Sequence, residues 1–556
     1  MKYLFFLNFF FYCIVVNAQV VESEPIHASL QFIKKDKKVD AKITLQYRVS
    51  SNDPLLIGNL RDYYGYPSLG KFMTELAGSK GTVVSKKNNS DSIYIIPANN
   101  EVNFTYTLAY DSATLGDNTY APNVGEDHVH FAFCQWMLPV ADRKKIFEYK
   151  IHVDKLPPGW IMYNSITGEA QDIAFKNSLY GYFSFVIGAG IFDKRSYNVH
   201  GKPLNIYISG HFDTGNDKIV SLVHKTVVYQ HTLFNDFNFR FYSVAILPRE
   251  GNVAGISISN MFLCHLKKDV SYQKLAWLMS HEMLHRWVGN QVFINDTTSF
   301  GLRHQWFKEG INDYLSNLAL LDSKLFTKDE FVNSINNYIK NIKENPYADA
   351  SEDSINKVAE AGKYGVAATK LFYYKGGLMG FIADKAFLKE SKAGLHSGVK
   401  DLILRLLKNV DSIKLDEKTF FSITDSMKLP LYKLYQDHIL NGSADFDLPK
   451  TIFAGSYILK KTEYAVYDPG FITMRKDNKL YASAVDISVP AYKAGIRSEM
   501  EIISSTANNR FSNAWCDCPI KMVVLINGEK KEIEYMPYGK TVEVLKYVPP
   551  GPLKGE

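Results

Sequence analysis

Two hydrophobic rhythms divide this chain, and they limit what it can fold into more than any other feature. From Glu24 to about His200 apolar and polar residues alternate in short runs: Ala41-Lys42-Ile43-Thr44-Leu45-Gln46-Tyr47, Val102-Asn103-Phe104-Thr105-Tyr106-Thr107-Leu108 and Phe147-Glu148-Tyr149-Lys150-Ile151-His152-Val153. A period of two turns one side of each run to a core and the other to water, which predicts half-buried antiparallel strands. Near Asn216 the spacing becomes helical, over Ile219 to Phe234, Ser271 to Gln291, Trp306 to Asp322, Lys328 to Glu344, Val366 to Lys389 and Gly398 to Asn409, with one strand-like run at Phe239 to Leu247. Beyond Asp445 short β-type runs return, separated by turns at Asp468-Pro469-Gly470 and Asn527-Gly528. The expected fold class is multidomain α+β: an N-terminal all-β domain over 19–200, a helix-rich domain over 201–450 and a small β-rich domain over 451–556.

A chain of 556 residues has room for three such domains. After Lys2 the next charge is Glu22, and Tyr3 to Val16 is mainly apolar and rich in Phe, followed by Val16-Asn17-Ala18 before Gln19. This pattern predicts a signal peptide over 1–18 and a secreted or periplasmic protein. No later run reaches eighteen apolar residues, so no transmembrane segment is expected after signal removal. The net charge of +6 is mild and carries no long basic run, which gives no case for nucleic acid. Four cysteines remain beyond the leader, Cys134, Cys264, Cys516 and Cys518, too few for a disulfide scaffold or a cysteine zinc cluster. Cys516-Asp517-Cys518 is too tightly spaced for an ordinary bridge between its own members, and Cys134 and Cys264 read as buried thiols. His128 and His130 can share a strand face, but with no third ligand in sight they read as ordinary hydrogen-bonded histidines.

The chemistry concentrates in His281-Glu282-Met283-Leu284-His285, inside an apolar helix. Histidines four apart lie one turn above each other, so both imidazoles can reach one Zn²⁺, and Glu282 stands beside that face. Zinc would lower the pKa of a water towards about 7 and polarise a carbonyl, and the carboxylate would take the proton. A third ligand is needed. Glu309, in Trp306-Phe307-Lys308-Glu309-Gly310, is the candidate, because its aromatic neighbours imply burial and a buried acid needs a cation. Asp313, four residues on, can accept the remaining N–H of a zinc-bound histidine.

With these residues the chain resembles a gluzincin zinc peptidase with a thermolysin-like helix-rich catalytic domain. The Trp306-to-Gly310 segment is similar to the glutamate helix of the alanyl aminopeptidase and glycyl aminopeptidase families. Tyr373-Tyr374-Lys375-Gly376-Gly377 is similar to their Tyr-x-Lys-Gly motif, which implies that Tyr373 stabilises the oxyanion, with Tyr374 as the alternative. The resemblance implies one zinc ion and peptide or protein substrates. It has two departures. Twenty-three residues separate His285 from Glu309, longer than usual, which requires an enlarged loop around Ile294 to Arg303. Where these families place a glutamate that grips the substrate's amine, Gly255-Ile256-Ser257 carries Ser257, with Glu250 out of register. A hydroxyl cannot replace a carboxylate as partner of a buried ammonium. The alternation around Gly255, Ile256 and Ser257 still suits an edge strand that pairs with an extended peptide.

Tyr481 to Ile496 resembles the strand, turn and short helix of a PDZ domain beginning near Tyr467-Asp468-Pro469-Gly470-Phe471, although Ser498-Glu499-Met500-Glu501 replaces the usual Gly-Asp step. Such a domain could hold a peptide C-terminus or be purely structural. A PDZ-like domain behind a gluzincin core is the arrangement of the glycyl aminopeptidase family. The expected activity is zinc-dependent hydrolysis by an aminopeptidase. Its alternatives are an endopeptidase of the same mechanism and a non-catalytic peptide-binding adaptor with a structural zinc.

Overall fold

The computed structural model describes residues 24–35, 38–57, 69–86, 92–110, 122–132, 135–138, 146–178, 185–249, 254–258, 260–295, 303–360, 366–384, 398–408, 413–476, 479–507 and 518–550. The expected signal peptide, Glu250, Cys134, Cys516 and most of the loop around Ile294 to Arg303 lie outside them. The chain divides into two compact units, Met1–Arg286 and Trp287–Glu556, with a strand-rich N-terminal region and a helical region that make it a mixed α+β protein of several domains.

In the first unit the alternating runs become a six-stranded sheet in the order Asp172–Ser178, Ile146–Val153, Ile26–Lys34, Val39–Arg48, Glu101–Leu108, Met73–Gly78. Its two central strands pair antiparallel, Ala28 opposite Leu45 and Leu30 opposite Ile43. These four side chains are buried in one apolar core with Tyr106, Phe104 and Trp136, as alternation with one wet face requires. A four-stranded sheet follows, in the order Ile161–Asn164, Val186–Gly190, His128–Ala132, Asn123–Val124.

A mixed five-stranded sheet carries the chain towards the site. Its order is Asp193–Val199, Lys202–Ile208, Tyr242–Pro248, Met261–Leu266, Ala254–Ile258. The three middle strands run parallel; Tyr242–Pro248 and Met261–Leu266 are buried throughout or nearly so, and Lys202–Ile208 is buried in its second half. The last, Ala254–Ile258, is an antiparallel edge with Gly255 opposite Cys264 and Ser257 opposite Phe262. Helices Asn216–Phe234 and Tyr272–Leu284 complete this unit. The second of these stops well short of the Gln291 expected from apolar spacing. Beyond it the backbone turns through Gly289 at φ +92°, and the Val292 N–H bonds to the Trp287 carbonyl, a geometry that no continuing helix allows.

In the second unit, Lys328–Glu344 is helical over the expected range, started by a capping box in which Thr327 and Glu330 satisfy each other's backbone N–H groups. The helix expected over Trp306 to Asp322 begins instead as a wider π-type turn, Trp306–Ile311, before becoming α-helical at Asn312–Asp322. Helix Val366–Ala383 packs on that turn. Towards the C-terminus a five-stranded antiparallel sheet in the order Ile472–Lys476, Lys479–Ser483, Glu501–Ser505, Ile520–Ile526, Glu529–Tyr535 encloses its own small core of Phe471, Ala482, Ile496, Met522 and Val524. It is flanked by the long antiparallel pair Tyr457–Tyr467 and Tyr538–Val548. Cys264 is a buried free thiol. Cys518, given no role from sequence, is disulfide-bonded to a partner outside the described residues.

Candidate metal centre

Helix Tyr272–Leu284 presents the first two candidate ligands. Ser271 caps it by accepting the Lys274 N–H at 3.4 Å, and Leu275, Leu278, Met279 and Met283 bury its apolar face. His281 is buried. His285 occupies the C-cap position but keeps helical backbone angles, φ −57° and ψ −19°, so the i,i+4 relation survives the helix end. Their rings meet edge to face with centroids 4.8 Å apart, and Trp277 lies 5.4 Å from His281 on its other side.

This helix end is anchored from outside by contacts the sequence reading did not anticipate. Gln230 donates to the Ser280 carbonyl at 2.9 Å, in the last turns of the helix. Arg286, next to His285, binds Asp236 through Nε at 2.8 Å, with both side chains largely shielded from water. The Asp236 carbonyl in turn accepts from His231 at 2.6 Å, whose pKa burial pulls down to about 4. No short motif marks Gln230 or Asp236, because each acts across about 50 residues of sequence.

Glu282, half-buried, lies against the edge strand. A methyl group built on Gly255 would stand 2.7 Å from the Glu282 Cγ and 2.7 Å from the Phe262 ring, so only glycine leaves space here for the carboxylate side chain. Burial, reinforced by the Glu282 charge, pushes the Cys264 thiol pKa well up. Burial pushes the Tyr242 hydroxyl to about 12, and the Ser257 side chain lies near enough to oppose that shift slightly.

Glu309 sits in the π-type turn and is buried. Trp306 fixes the turn by stacking on Phe421 at 6.3 Å with the planes 6° apart and by packing on Tyr435 at 5.5 Å. The turn then meets helix Val366–Ala383 backbone to backbone: a Cβ on Gly376 would lie 2.1 Å from the Trp306 carbonyl oxygen, and one on Gly310 would lie 2.5 Å from the Gly376 Cα. Both glycines belong to the motifs singled out from sequence, and the contact explains their pairing. Lys375 is buried and donates to the His438 and Gly442 carbonyls, each at 2.9 Å. Burial lowers its pKa to about 8.

Asp313, one turn beyond Glu309, accepts from the Tyr338 hydroxyl at 2.6 Å. Tyr373 and Tyr374 are both half-buried. The Lys370 ammonium lies 3.8 Å from the Tyr373 ring centroid; burial, and then Asp313, push the Tyr338 hydroxyl pKa well up, and Tyr374 is near enough to add slightly to that.

One ligand atom from each of His281, His285 and Glu309 lies within 4.8 Å of the others, the one group of three or more potential metal ligands among the described residues. Two imidazoles and one carboxylate form the donor set of hydrolytic zinc sites, and that separation is within reach of small side-chain rotations. His128 and His130 have other partners. His128 contacts Asn123, Asp127 and Ser209, and His130 contacts Tyr163 at 3.0 Å with its pKa lowered by burial to about 3.

Residues 274–379 match the model of the M61 glycyl aminopeptidase family, a segment that contains both motif helices and the Tyr-x-Lys-Gly sequence. No curated protein matches the chain. Among solved structures, the chain is similar to an aminopeptidase N family protein from Idiomarina loihiensis, at 13% identity and a TM-score of 0.66, covering 94% of this chain and 98% of that one. At that identity the likeness is one of fold. An M1 zinc metallopeptidase from Deinococcus radiodurans aligns at 10% identity over 78% of this chain and 96% of its own, with a TM-score of 0.43.

Proposed function

We propose that this chain, a zinc metallopeptidase, is an exported aminopeptidase that binds one zinc ion through His281, His285 and Glu309. The observation that carries the reading is the convergence of these three ligands, with Glu282 between the histidines in sequence and in contact range of the edge strand. When bound, zinc supplies Lewis-acid activation of water and of the scissile carbonyl. The protein's own groups do the rest. The free edge of Ala254–Ile258 pairs with an extended substrate and sets the scissile bond beside Glu282. Glu282 takes the proton of the attacking water and returns it to the leaving nitrogen. Tyr373 donates a hydrogen bond to the oxyanion, and Tyr374, beside Tyr338, serves the supporting structure. Asp313 accepts the N–H of a ligand histidine and fixes its tautomer. The C-terminal five-stranded sheet with the short helix Pro490–Lys493 is a PDZ-like domain, and residues 1–18 direct export.

Endopeptidase action is the second reading, and a specific observation favours it. The strand Ala254–Ile258 carries no carboxylate for a substrate ammonium, and Ser257 stands where one is expected. A peptide panel with free and N-acetylated termini separates the two, since an aminopeptidase loses activity when the amine is blocked. Glu282→Ala serves as the control: metal retained with turnover abolished supports the mechanism, and hydrolysis persisting in this variant sinks it.

A further inference from the structure

We infer that Tyr338 is a positioning residue for the metal centre, acting through Asp313 at the end of a side-chain relay. The inference rests on the reading of Asp313 as partner of a ligand histidine. The relay runs Ser334, Asn317, Tyr338, Asp313. The Ser334 hydroxyl donates to the Asn317 carbonyl oxygen at 3.1 Å, and the Asn317 amide nitrogen donates to the Asp313 main-chain carbonyl at 2.9 Å and to the Tyr338 hydroxyl oxygen at 2.8 Å. Both ends of the Asn317 amide are thus assigned by their partners, because a main-chain carbonyl can only accept. The Tyr338 oxygen accepts from Asn317, so its single proton points at Asp313 Oδ2, 2.6 Å away.

The direction of this relay matters. One Asp313 oxygen accepts from a phenol whose own oxygen is held by Asn317, which restricts rotation of the carboxylate and so the direction of its other oxygen. The ring is held as well, since a Cβ on Gly377 would stand 2.7 Å from Tyr338 Cε2. Gly377 follows Gly376 directly, so one short segment of helix Val366–Ala383 both abuts the Glu309 turn and clamps Tyr338. All four relay residues lie on the two helices Asn312–Asp322 and Lys328–Glu344, and Asp313, Asn317 and Tyr338 are all buried. A bond this shielded, to a charged acceptor, belongs to the stronger class.

The test uses the full-length protein with Tyr338→Phe, Asp313→Asn and the double variant, each measured for zinc affinity by chelator competition and for the visible spectrum of the Co²⁺-substituted form. Tyr338→Phe keeps the ring and removes only the donor, and should weaken zinc about tenfold, at the low end of the range for outer-shell partners, and alter the Co²⁺ bands. In the Asp313→Asn background it should change neither. Unaltered zinc affinity in Tyr338→Phe while Asp313→Asn weakens it overturns the relay and leaves the Asp313 reading standing. Unaltered affinity in Asp313→Asn overturns both. An equal loss in the two backgrounds also overturns the relay, because Tyr338 would then act by another route. Should Tyr338→Phe fail to fold, Asn317→Ser removes the donor that orients the phenol and is read the same way.

Discussion

The two helical segments that bring the candidate ligands are held by opposite means. The histidine helix, Tyr272–Leu284, is regular, and side chains moor its end: Gln230 on the Ser280 carbonyl and Asp236 on Arg286. The glutamate turn, Trp306–Ile311, is irregular, and backbone contact moors it, through Gly310 and Gly376. The difference follows from what each must place. Two histidines four residues apart acquire their mutual spacing from the helical period itself, so their helix needs only to be kept from fraying. A single carboxylate has no internal spacing, and its position is only as fixed as the turn that carries it. Flexible side chains would be a poor mooring for that purpose, and two glycines in contact are a stiff one.

Four experiments would break or sharpen this contrast. The largest effect should come from Glu282→Gln, which leaves both moorings intact: kcat should fall about a thousandfold with zinc content unchanged, and metal loss on this substitution would mean that the histidine helix depends on Glu282 for its shape. Next is Gly376→Ala. Its methyl would meet the Trp306 carbonyl, which cannot yield without moving the turn, so a loss of about 3 kcal/mol in urea unfolding is expected, together with weaker zinc binding. A variant as stable as the parent would refute the backbone mooring.

The third experiment uses pH, because the two regions should respond in opposite directions. His231, behind the histidine helix, has its pKa lowered from 6.5 to about 4 by burial. The unfolded chain then holds the extra proton between these values, and the stability this group contributes is lost as pH falls through that window. Asp384, at the end of the helix that abuts the glutamate turn, is raised from 3.8 to about 6 by burial. Its folded form holds the extra proton, and its contribution is lost as pH rises through the same range. Each corresponds to about 3 kcal/mol at most. Amide exchange between pH 4 and 6.5 should therefore show the region around Asp236 and Arg286 loosening with acid while that around Asp384 and Val399 tightens, and Asp384→Asn should flatten the second slope alone. The smallest effect is expected of Gly255→Ala. Its methyl meets the Glu282 side chain, which can move, and the buried Phe262 ring, so stability should fall by about 1 to 2 kcal/mol, while displacement of Glu282 should lower kcat about tenfold.

Much of this architecture was legible from spacing. The runs around Ala41 to Tyr47 and Val102 to Leu108 lie in neighbouring interior strands of the six-stranded sheet, and the helix at Lys328–Glu344 carries its start signal in Thr327 and Glu330. The three candidate ligands, which the structure brings together, were legible for the same reason, since each sits in a short pattern. The π-type turn was not, because in a run as buried as Trp306 to Ile311 one extra residue per turn leaves no polar face to slip out of phase. Nor were Gln230, Asp236 and Tyr338, whose contacts with Ser280, Arg286 and Asp313 span 50, 50 and 25 residues. Of the three parallel strands in the mixed sheet, only Tyr242–Pro248 was singled out, since parallel strands buried on both faces lose the alternation that identifies them, whereas the edge at Ala254–Ile258 kept it.

The helix that holds Tyr338 is also tied to the far end of the chain. Asn336 donates to the Tyr547 carbonyl at 3.0 Å and accepts the Tyr547 N–H at 2.8 Å, pairing with the last strand as a second strand would, across 211 residues of sequence. That distance is also an interval of time. At synthesis rates of roughly 5 to 20 residues per second, about 10 to 40 seconds pass between the emergence of Asn336 and that of its partner. Throughout that interval the helix lacks this neighbour, and the segment that carries Tyr338 gains the contact only after Tyr547 has been made.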